Sequence, residues 1–356
     1  MRKLLILGAG KIGGAIVDML AATGDYDITI ADQDPNFLAL IPAVKARQER
    51  IDVSDRAALG GVMRSHQVTI SALPFFLNPT VAKIAGEIGC HYFDLTEDVA
   101  TTRAVRQLAD SDRVAYVPQC GLAPGFISIV AADLAKRFDS LREVHMRVGA
   151  LPQFPANALK YNLTWSTDGL INEYCNPCES IHDGKMVDVL PLEGLERFSL
   201  DGIDYEAFNT SGGLGTLCET LNGKVESLNY KTVRYPGHRD VIKLLLEDLR
   251  LRDRRALLKD VLETAIPITH QDVVLIFVKV IGWRENRLTQ ETYAKKIYAR
   301  EINGKLMSAI QITTAAGICA MVDLHGANKL PAAGFIRQED ASLADFLANR
   351  FGAYYS

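Results

Sequence analysis

The chain has 356 residues, a formal net charge of −4 at pH 7 and 48% hydrophobic residues. This length predicts two domains with a substantial core, and the slightly acidic balance disfavours nucleic acid as a partner. The apolar runs are too short to span a membrane, and a glycine turn begins so soon after Met1 that a signal peptide has no room, so we expect a cytoplasmic protein without a membrane partner.

The first predicted element is a strand that leads through a glycine turn into a helix. An apolar run at 3–7 is followed by Gly-Ala-Gly-Lys-Ile-Gly at 8–13 and by a helical pattern to about residue 23. The first glycine allows a tight turn, the second lets the backbone approach a pyrophosphate, the third lets helix and strand pack closely, and the helix N-terminus attracts phosphate. The alternative is a βα unit whose glycines serve packing only. The predicted cofactor contacts are Gly8, Gly10, Lys11, Ile12 and Gly13.

The second predicted strand, at 28–31, ends at Asp32. A carboxylate at this distance from the glycine turn can accept both hydroxyls of the adenosine ribose. It would also repel a 2′-phosphate, so we expect NAD as the cofactor. Because Lys45, Arg47 or Arg50 could fold back towards the ribose, NADP remains possible.

The remaining elements up to about residue 120 alternate between short apolar strands and amphipathic helices. This alternation predicts an α/β fold with a doubly wound parallel sheet and helices on both faces. The segments after the third and fourth strands should lie in the ligand crevice, near the adenine and the nicotinamide respectively. The apolar runs lie near 4–7, 28–31, 68–73, 91–95 and 114–117, and the helices are predicted near 11–23, 54–64, 79–89 and 99–110. The further predicted cofactor contacts are Asp52, Val53, Ala72, Leu73 and Pro74.

The pattern changes after Gly-Leu-Ala-Pro-Gly at 121–125. Longer alternating segments predict a second, α+β domain built on an antiparallel sheet, with a hairpin turn at 284–287. The tail predicts a helix at 308–324 and a short helix that begins at the N-cap Ser342. The strands are predicted at 141–150, 203–210, 225–235, 271–284 and 293–300, and the helices at 126–138, 167–175, 239–249 and 254–264.

The six cysteines are scattered along the chain, which argues against a disulfide framework. Cys175 and Cys178 have the spacing of a redox pair or of half a zinc site. A zinc site needs two further nearby ligands, and neither a second Cys-x-x-Cys nor a suitable histidine pair supplies them. The ligand count therefore favours two incidental cysteines at the end of a helix, and we expect no metal.

Four further segments have long or unusual sequences: Gly121–Gly125, Leu163–Tyr174, Glu206–Gly213 and Tyr230–His238. With these segments, and over nearly its whole length, the chain resembles the saccharopine dehydrogenase and lysine 6-dehydrogenase family. The resemblance implies a Rossmann domain of residues 1–122 that is completed by residues 318–356. It also implies a substrate-binding α+β domain of residues 123–317 and a homodimer formed through the antiparallel sheet of that domain.

The chemistry that the resemblance implies is hydride transfer from a C–N centre to a nicotinamide. The ε-carbon of lysine, or the secondary amine of saccharopine, is oxidised to an imine, and water then releases α-aminoadipate semialdehyde with ammonia or glutamate. The protein must position the C–H bond, bind carboxylates and move protons. We expect a saccharopine dehydrogenase of the L-glutamate-forming type. A lysine 6-dehydrogenase, a carboxylated-polyamine dehydrogenase and a non-catalytic NAD-binding regulator remain open.

Two residues are the candidates for proton transfer. Asp94 follows the fifth strand, where the crevice should open, and its carboxylate could take a proton from the substrate amine. A capping or turn carboxylate is the alternative. His238 titrates near neutrality and is the second candidate, although a histidine at the start of a helix is often structural.

Carboxylate binding requires a fixed cation or clustered N–H groups. Arg234 can supply a bidentate fork, and the loop Thr-Ser-Gly-Gly at 210–213 can supply hydroxyls and a backbone nest. The alternatives are a salt bridge on the sheet and an ordinary loop between strands. The predicted substrate contacts are Arg234, Asn209, Thr210, Ser211, Gly212, Gly213, Asn162 and Ser166.

Overall fold

The computed structural model describes residues 1–109 and 113–356, which form two compact units. The first unit comprises Met1–Phe126, Asn303–Lys305 and Gln311–Ser356, and the second comprises Ile127–Ile302 and Leu306–Ile310. Each unit contains its own large β-sheet.

The strands are β1 (Arg2–Leu7), β2 (Tyr26–Asp32), β3 (Arg47–Arg50), β4 (Val68–Ser71), β5 (His91–Asp94), β6 (Ala115–Val117), β7 (Ser140–Pro152), β8 (Cys178–His182), β9 (Lys185–Val189), β10 (Glu196–Leu200), β11 (Ile203–Asn209), β12 (Ser227–Arg234), β13 (Asp272–Arg284), β14 (Arg287–Tyr298), β15 (Arg300–Ile302), β16 (Lys305–Met307) and β17 (Gly334–Phe335). The helices are α1 (Lys11–Ala21), α2 (Pro35–Ala39), α3 (Arg56–Met63), α4 (Asn78–Ile88), α5 (Val99–Leu108), α6 (Phe126–Ala135), α7 (Thr167–Cys175), α8 (Leu217–Leu221), α9 (His238–Lys243), α10 (Arg255–Ala265), α11 (Ala309–Gly326) and α12 (Leu343–Ala348).

The first unit is built on a parallel sheet with the strand order β17-β6-β5-β4-β1-β2-β3. The four residues Leu4 to Leu7 of β1 are fully buried, as expected for a central strand covered on both faces. The strand order reverses between β1 and β4, so the carboxyl ends of these two strands form the switch point where such sheets bind ligands. The predicted doubly wound sheet is confirmed.

Helix boundaries in the first unit follow local capping chemistry. The Asp55 carboxylate accepts N–H bonds from the first turn of α3, and the Asp98 carboxylate accepts one from Thr101 in α5. The Ser342 hydroxyl accepts a bond from the Asp345 N–H, which confirms the predicted cap of α12. The helix predicted to reach residue 110 ends at Leu108, and residue 110 itself lies outside the described residues.

The second unit is built on a sheet with the order β10-β11-β12-β7-β13-β14, to which β8 and β9 are attached beside β12. The predicted α+β domain with an antiparallel sheet is confirmed, and the structure adds that one neighbouring pair, β7 and β12, runs parallel. An alternating sequence pattern reports only which face of a strand is buried, so it does not reveal strand direction. The other neighbouring pairs on this path, β10–β11, β11–β12, β7–β13 and β13–β14, are antiparallel.

The longest hairpin of the second unit joins β13 to β14. Arg284 pairs with Arg287, and the two residues between them, Glu285 and Asn286, have φ values of 52° and 61°. Two successive positive φ values define the two-residue turn that matches the twist of the flanking strands. The predicted hairpin at this position is confirmed.

Helices α7 and α10 pack beside the sheet of the second unit and enclose its apolar core. The buried members of that core are Leu159, Tyr161, Leu163, Leu170, Ile171, Tyr174, Cys175, Leu192, Phe208, Ile242, Leu246, Leu258 and Leu262. Three of them are aromatic and lie close to the candidate site described below. Across the described residues, no helix combines the length and the apolar character needed to cross a membrane.

Candidate functional site

The glycine turn, residues 8–13, lies at the switch point of the parallel sheet. Gly8 has a φ of +98°, and a Cβ atom there would lie 2.8 Å from the carbonyl oxygen of Ala72, which follows β4. A Cβ at Gly13 would lie 1.8 Å from the carbonyl oxygen of Gly8. Both positions therefore require glycine for the fold itself.

Gly10 is different, because a Cβ atom there would have no neighbour within 4 Å. Its φ of −68° is also accessible to any residue, so the fold does not need glycine at this position. The open space lies beside the first N–H groups of α1, which have no partner inside the helix. Lys11 is exposed and Ile12 is half-buried next to it. This surface fits the close approach of a phosphate group.

Asp32 supports the glycine turn from the end of β2. One carboxylate oxygen accepts the Ala9 N–H at 2.7 Å, and the other accepts the Asp34 N–H at 2.9 Å. A carboxylate oxygen can accept a further hydrogen bond, so ribose hydroxyls can still bind there. Asp32 thus has a structural task that the sequence did not reveal.

The three cations considered near the ribose have different partners. Lys45 pairs with Asp18 at 2.6 Å, and Arg47 pairs with Asp27 at 3.2 Å. Arg50 is the residue of β3 that pairs in register with Asp32, and its Nε donates to the Gln33 carbonyl at 3.2 Å. Its two Nη groups find no acceptor among the described residues, so Arg50 is the cation that remains beside Asp32.

The other predicted cofactor contacts follow β3 and β4. The carboxylate of the exposed Asp52 accepts the Ser54 N–H at 2.9 Å, and this bond lowers the pKa of Asp52. Val53 and Leu73 are half-buried against the core, and the Ala72 N–H donates to the Leu7 carbonyl at 2.8 Å. Pro74 precedes a short 3-10 helix, Phe75–Leu77. The structure brings Ala72 to the glycine turn, whereas Asp52 and Val53 lie at the end of β3.

Asp94 does not open onto a crevice within the first unit. Its side chain is fully buried and accepts bonds from the Tyr92 hydroxyl at 2.7 Å, the Thr96 N–H at 2.9 Å and the Gln119 N–H at 3.0 Å. Burial raises the pKa of Asp94 to about 6 against these stabilising bonds. This geometry is that of a carboxylate that holds the end of β5, and it argues against the predicted proton transfer.

The centre of the second unit contains a buried arginine. Arg234, at the end of β12, is 3% exposed, and its guanidinium lies 5.0 Å from the ring centre of Tyr161 and 6.0 Å from that of Tyr174. Its Nε donates to the Tyr174 hydroxyl at 3.0 Å, and the same hydroxyl lies 3.0 Å from Nε2 of His238. We call Arg234, Tyr161, Tyr174 and His238 the arginine site.

Most of the hydrogen-bonding capacity of Arg234 is unused by the protein. Of its five N–H groups, one binds Tyr174 and one binds the Val233 carbonyl at 2.9 Å, which leaves three. Glu206 pairs with Arg234 in register, but its carboxylate instead accepts the Gly237 and Arg239 N–H groups that begin α9. Among the described residues, no carboxylate accepts a hydrogen bond from Arg234.

His238 is not positioned for acid–base catalysis. It is fully buried, with Nδ1 2.9 Å from the Leu159 carbonyl and Nε2 bound to Tyr174. Burial, together with the charge of Arg234, lowers the pKa of His238 to about 3, so the ring is neutral under physiological conditions. The histidine is the first residue of α9, yet its side chain does not cap that helix. The geometry therefore supports the alternative that His238 has a structural role.

Several buried polar atoms near the arginine site have no hydrogen-bond partner in the described part of the chain. They are the hydroxyls of Tyr161 and Thr164 and the side-chain oxygen of Asn162. Burial raises the pKa of Tyr161, and Thr164 and Trp165 lie close enough to oppose this rise. Its hydroxyl therefore stays protonated and can donate. The predicted set omitted Tyr161, Thr164 and Tyr174, since only the fold places these residues around Arg234.

The loop at 210–213 is packed more tightly than an anion nest requires. The Ser211 N–H donates to the Glu173 carbonyl at 3.0 Å, and the Ser211 hydroxyl donates to the Pro177 carbonyl at 2.8 Å. Gly212 has a φ of 86°, and a Cβ at Gly213 would lie 2.2 Å from the Tyr230 ring. Both glycines thus serve the turn and its packing. Because the Ser211 N–H and hydroxyl already bond to the protein, they are not available to the predicted anion nest.

The other three predicted substrate contacts are Asn209, Ser166 and Asn162. Asn209 pairs with Lys231 whereas its neighbour Phe208 pairs with Thr232, so Asn209 lies on the opposite sheet face from Arg234. Ser166 caps α7 by accepting the Gly169 N–H at 3.2 Å. The Asn162 amide donates to the Pro267 carbonyl at 3.1 Å, and its side-chain oxygen has no partner among the described residues.

The cysteine pair has no catalytic or metal-binding geometry. Cys175 ends α7 and Cys178 begins β8, and all six cysteines of the sequence are free and buried. Burial raises the pKa of both thiols, which disfavours the reactive thiolate. Within residues 1–109 and 113–356, no group of three His, Cys, Asp or Glu side chains could hold a metal ion.

Comparison with known families identifies both parts of the chain. Residues 4–117 match the saccharopine dehydrogenase NADP binding domain, and residues 121–351 match the saccharopine dehydrogenase C-terminal domain. The chain belongs to the saccharopine dehydrogenase family. The family predicted from the four sequence segments is therefore confirmed, and the first match describes a nicotinamide-dinucleotide domain that contains the glycine turn.

Similar proteins support the same relationship. Saccharopine dehydrogenase [NADP(+), L-glutamate-forming] from Saccharomyces cerevisiae is 26% identical over 306 residues, which cover 80% of this chain and 62% of that protein. Mitochondrial alpha-aminoadipic semialdehyde synthase from Mus musculus is 25% identical over 196 residues, which cover 53% of this chain and 21% of that protein. The chain thus spans less than two thirds of the length of these curated relatives.

A solved structure shows that the fold is shared. The apo histidine-tagged saccharopine dehydrogenase (L-Glu forming) from Saccharomyces cerevisiae superposes with a TM-score of 0.81 at 18% sequence identity. The superposition covers 98% of this chain and 97% of that structure.

Proposed function

We propose that this protein is a nicotinamide-dependent oxidoreductase that oxidises the C–N bond of a lysine-derived amino acid, with saccharopine as the favoured substrate. The observation that carries the proposal is the buried Arg234 with three unused N–H groups, in a chain whose other unit has a dinucleotide-type glycine turn. Family membership supports the reaction class.

Arg234 is suited to hold a carboxylate of the substrate. A guanidinium presents parallel N–H groups that match the two oxygens of a carboxylate, and such bonds are stronger in a buried, water-poor site. The donor hydroxyl of Tyr161 adds a neutral contact, and the Asn162 side-chain oxygen can accept from an ammonium group. This combination favours a zwitterionic amino-acid end over a neutral ligand.

The proposed reaction balances as a two-electron oxidation. The substrate C–H carbon gives a hydride to the nicotinamide, the adjacent nitrogen loses a proton, and a C=N bond forms. Water adds to that bond, and the C–N bond breaks to give α-aminoadipate semialdehyde and glutamate. A nicotinamide cofactor held by the glycine turn would supply the hydride acceptor, while Arg234 would orient the substrate by its carboxylate.

The cofactor is proposed to be NADP, contrary to the expectation from Asp32 alone. Because both oxygens of Asp32 already accept turn N–H groups, its negative charge is partly neutralised by these donors. Arg50 adds two Nη groups without an acceptor among the described residues beside it, and these can bind a 2′-phosphate. The yeast relative is named for NADP(+).

Cofactor titration of purified protein tests this assignment. Arg50→Gln should weaken NADPH binding by roughly tenfold and leave NADH binding nearly unchanged, because only the phosphate contact is lost. The matched control Arg47→Gln removes an arginine that already pairs with Asp27, so both affinities should stay within about twofold. Asp32→Ala should weaken both cofactors, since it releases the turn. If the unaltered protein binds NADH more tightly than NADPH, the proposal of NADP is wrong and NAD is the cofactor.

The substrate is tested by following the absorbance of reduced nicotinamide with saccharopine, lysine and carboxyspermidine in separate reactions. We expect the highest kcat/KM with saccharopine. Preference for lysine would indicate a lysine 6-dehydrogenase, and preference for carboxyspermidine a polyamine-type enzyme. Tight cofactor binding without turnover of any of them would support a non-catalytic regulator.

A homodimer and a cytoplasmic location complete the proposal. The homodimer rests on the family resemblance, and its test is the molar mass of the protein in solution by light scattering. A monomeric mass at micromolar concentration would remove that part of the proposal. The location is tested by fractionating the source cells and detecting the protein with an antibody.

A further inference from the structure

A directed chain of hydrogen bonds ends at the guanidinium of Arg234. Arginine has only donors, so the Tyr174 oxygen must accept from Nε at 3.0 Å. The Tyr174 oxygen lies 3.0 Å from Nε2 of His238, and because Nδ1 of His238 faces the Leu159 carbonyl, which only accepts, Nε2 of the neutral ring is left to accept the Tyr174 proton. With Nε2 as an acceptor, the ring proton lies on Nδ1 and is donated to the Leu159 carbonyl at 2.9 Å. Each donor and acceptor in this chain has a single consistent role.

We propose that His238 and Tyr174 are positioning residues that fix the guanidinium of Arg234 for the substrate carboxylate. The proposal rests on the proposed function, because it assigns the supporting residues of the same carboxylate site. Neither residue touches the substrate in this account. Together they hold one edge of the guanidinium, so that its other N–H groups remain available for the ligand.

The aromatic rings around His238 make this chain of hydrogen bonds rigid. The ring of Phe208 is nearly parallel to the histidine ring, at 6.3 Å and 11°, and the Tyr161 ring meets it edge-on at 5.3 Å. The imidazole therefore has little freedom to rotate, and its backbone acceptor at Leu159 is fixed in the core. A rigid support maintains the orientation of a bidentate donor, which lowers the entropy cost of binding.

The first experiment determines the tautomer of His238, and hence the direction of the hydrogen bonds, without any substrate. Full-length protein labelled with ¹⁵N-histidine is compared by NMR with the His238→Gln variant, which identifies the His238 signals. The proposal requires the neutral tautomer with the proton on Nδ1 near neutral pH. A proton on Nε2, or a charged ring, would overturn it.

The second experiment measures carboxylate binding. Removing the acceptor for Tyr174 with His238→Leu should weaken saccharopine binding by about tenfold in calorimetry, as expected for one disturbed charge-assisted contact. The variant His238→Gln keeps a side-chain acceptor and should recover most of that loss. Tyr174→Phe should act like His238→Leu, because it leaves Nε of Arg234 without its acceptor.

A matched control separates positioning from general loosening of the unit. Tyr205 is also a buried tyrosine of the second unit, but it packs against Phe198 and Tyr235 instead of the arginine site. Tyr205→Phe should leave saccharopine affinity within about twofold. Equal losses in Tyr205→Phe and Tyr174→Phe would overturn the proposal.

The outcomes also distinguish this proposal from the proposed function. Where KM is measurable, His238→Leu should raise KM more than it lowers kcat, because the chain acts on binding. If saccharopine is not turned over, the tautomer and the affinity of L-glutamate for the unaltered and variant proteins still test the chain. Failure of turnover with the expected tautomer and affinity loss would remove the reaction and keep the positioning role.

Discussion

The glycine turn and the arginine site present positive charge by opposite means. The turn uses uncharged backbone N–H groups at the start of α1, in a segment of six consecutive residues braced by Asp32. The arginine site uses one full charge, whose Nε is held by the hydroxyl of Tyr174, 60 residues away in sequence. The comparison teaches that a backbone site depends on the absence of side chains, whereas a side-chain site depends on distant support.

The largest expected effect comes from removing the fork of the arginine site. Arg234→Lys keeps a charge but loses the parallel N–H groups and the bond to Tyr174, so kcat/KM should fall by about a hundredfold or more. The matched control Arg239→Lys replaces an arginine that is paired on α9 with Glu193 and Asp240, and it should change kcat/KM by less than about twofold. Steady-state kinetics with saccharopine measures both. A loss of kcat/KM below threefold for Arg234→Lys would contradict the role of the Arg234 guanidinium in substrate binding.

The glycine turn allows a second test, in which two identical substitutions should behave differently. Gly13→Ala forces a Cβ against the Gly8 carbonyl and should lower the free energy of unfolding by about 3 kcal/mol. Gly10→Ala has open space and should change it by less than about 0.5 kcal/mol. Gly10→Ala should nevertheless weaken cofactor binding, because its methyl group occupies the phosphate approach.

Urea unfolding and fluorescence titration with NADPH measure these two quantities. Unchanged NADPH affinity in Gly10→Ala would show that the open side of the turn does not face a ligand. Equal destabilisation by the two substitutions would contradict the packing difference between the glycines.

A smaller effect concerns the pH dependence of stability at the arginine site. Because burial lowers the pKa of His238 from 6.5 to about 3, only the unfolded state binds this proton between those values. The contribution of neutral His238 to the free energy of unfolding is therefore fully present above pH 6.5. As the pH falls towards 3, the free energy of unfolding decreases by up to about 1.4 kcal/mol per pH unit. His238→Gln should remove this contribution to the slope.

Urea unfolding at several pH values between the two pKa values compares the unaltered protein with His238→Gln. His91 and His145, whose pKa values burial also lowers to about 4, contribute equally to both proteins. The difference in slope therefore isolates His238. Identical slopes would mean that His238 is accessible to protons in the folded protein.

The smallest expected effect belongs to Asp94. Its buried carboxylate already accepts hydrogen bonds from Tyr92, Thr96 and Gln119 inside the first unit, so Asp94→Asn should change kcat by less than about threefold. Steady-state kinetics at saturating cofactor measures this change. A loss of a hundredfold with an unchanged melting temperature would restore the catalytic prediction and place a reactive group in the first unit.

Much of the first unit could be predicted because its signals are local. The glycine spacing, the apolar runs and Asp32 are read within about 30 residues, and they correspond to β1, α1 and β2. The sequence did not reveal that Asp32 braces Ala9, since a motif specifies a residue type at a position and not the bonds that its side chain makes. The family segments were equally specific because they are long.

The second unit shows which features were beyond a sequence pattern. Alternation located β7, β12 and β13, but it could not show that β7 and β12 are parallel or that Asn209 and Arg234 lie on opposite faces. Both Asp94 and His238 are buried, and His238 bonds to Tyr174 and Leu159, which lie 64 and 79 residues away in sequence.

The sequence by itself determined the family, the parallel sheet and the nucleotide turn. These features depend on short-range periodicity and on positions, such as those of the turn glycines, that tolerate few other residues. The tertiary structure alone decided that Arg234 keeps free donors, that Tyr174 and His238 support it, and that Asp94 is occupied. The reason is physical. Hydrogen-bond partners and burial are set by residues brought together from distant parts of the chain, and a linear pattern does not contain those distances.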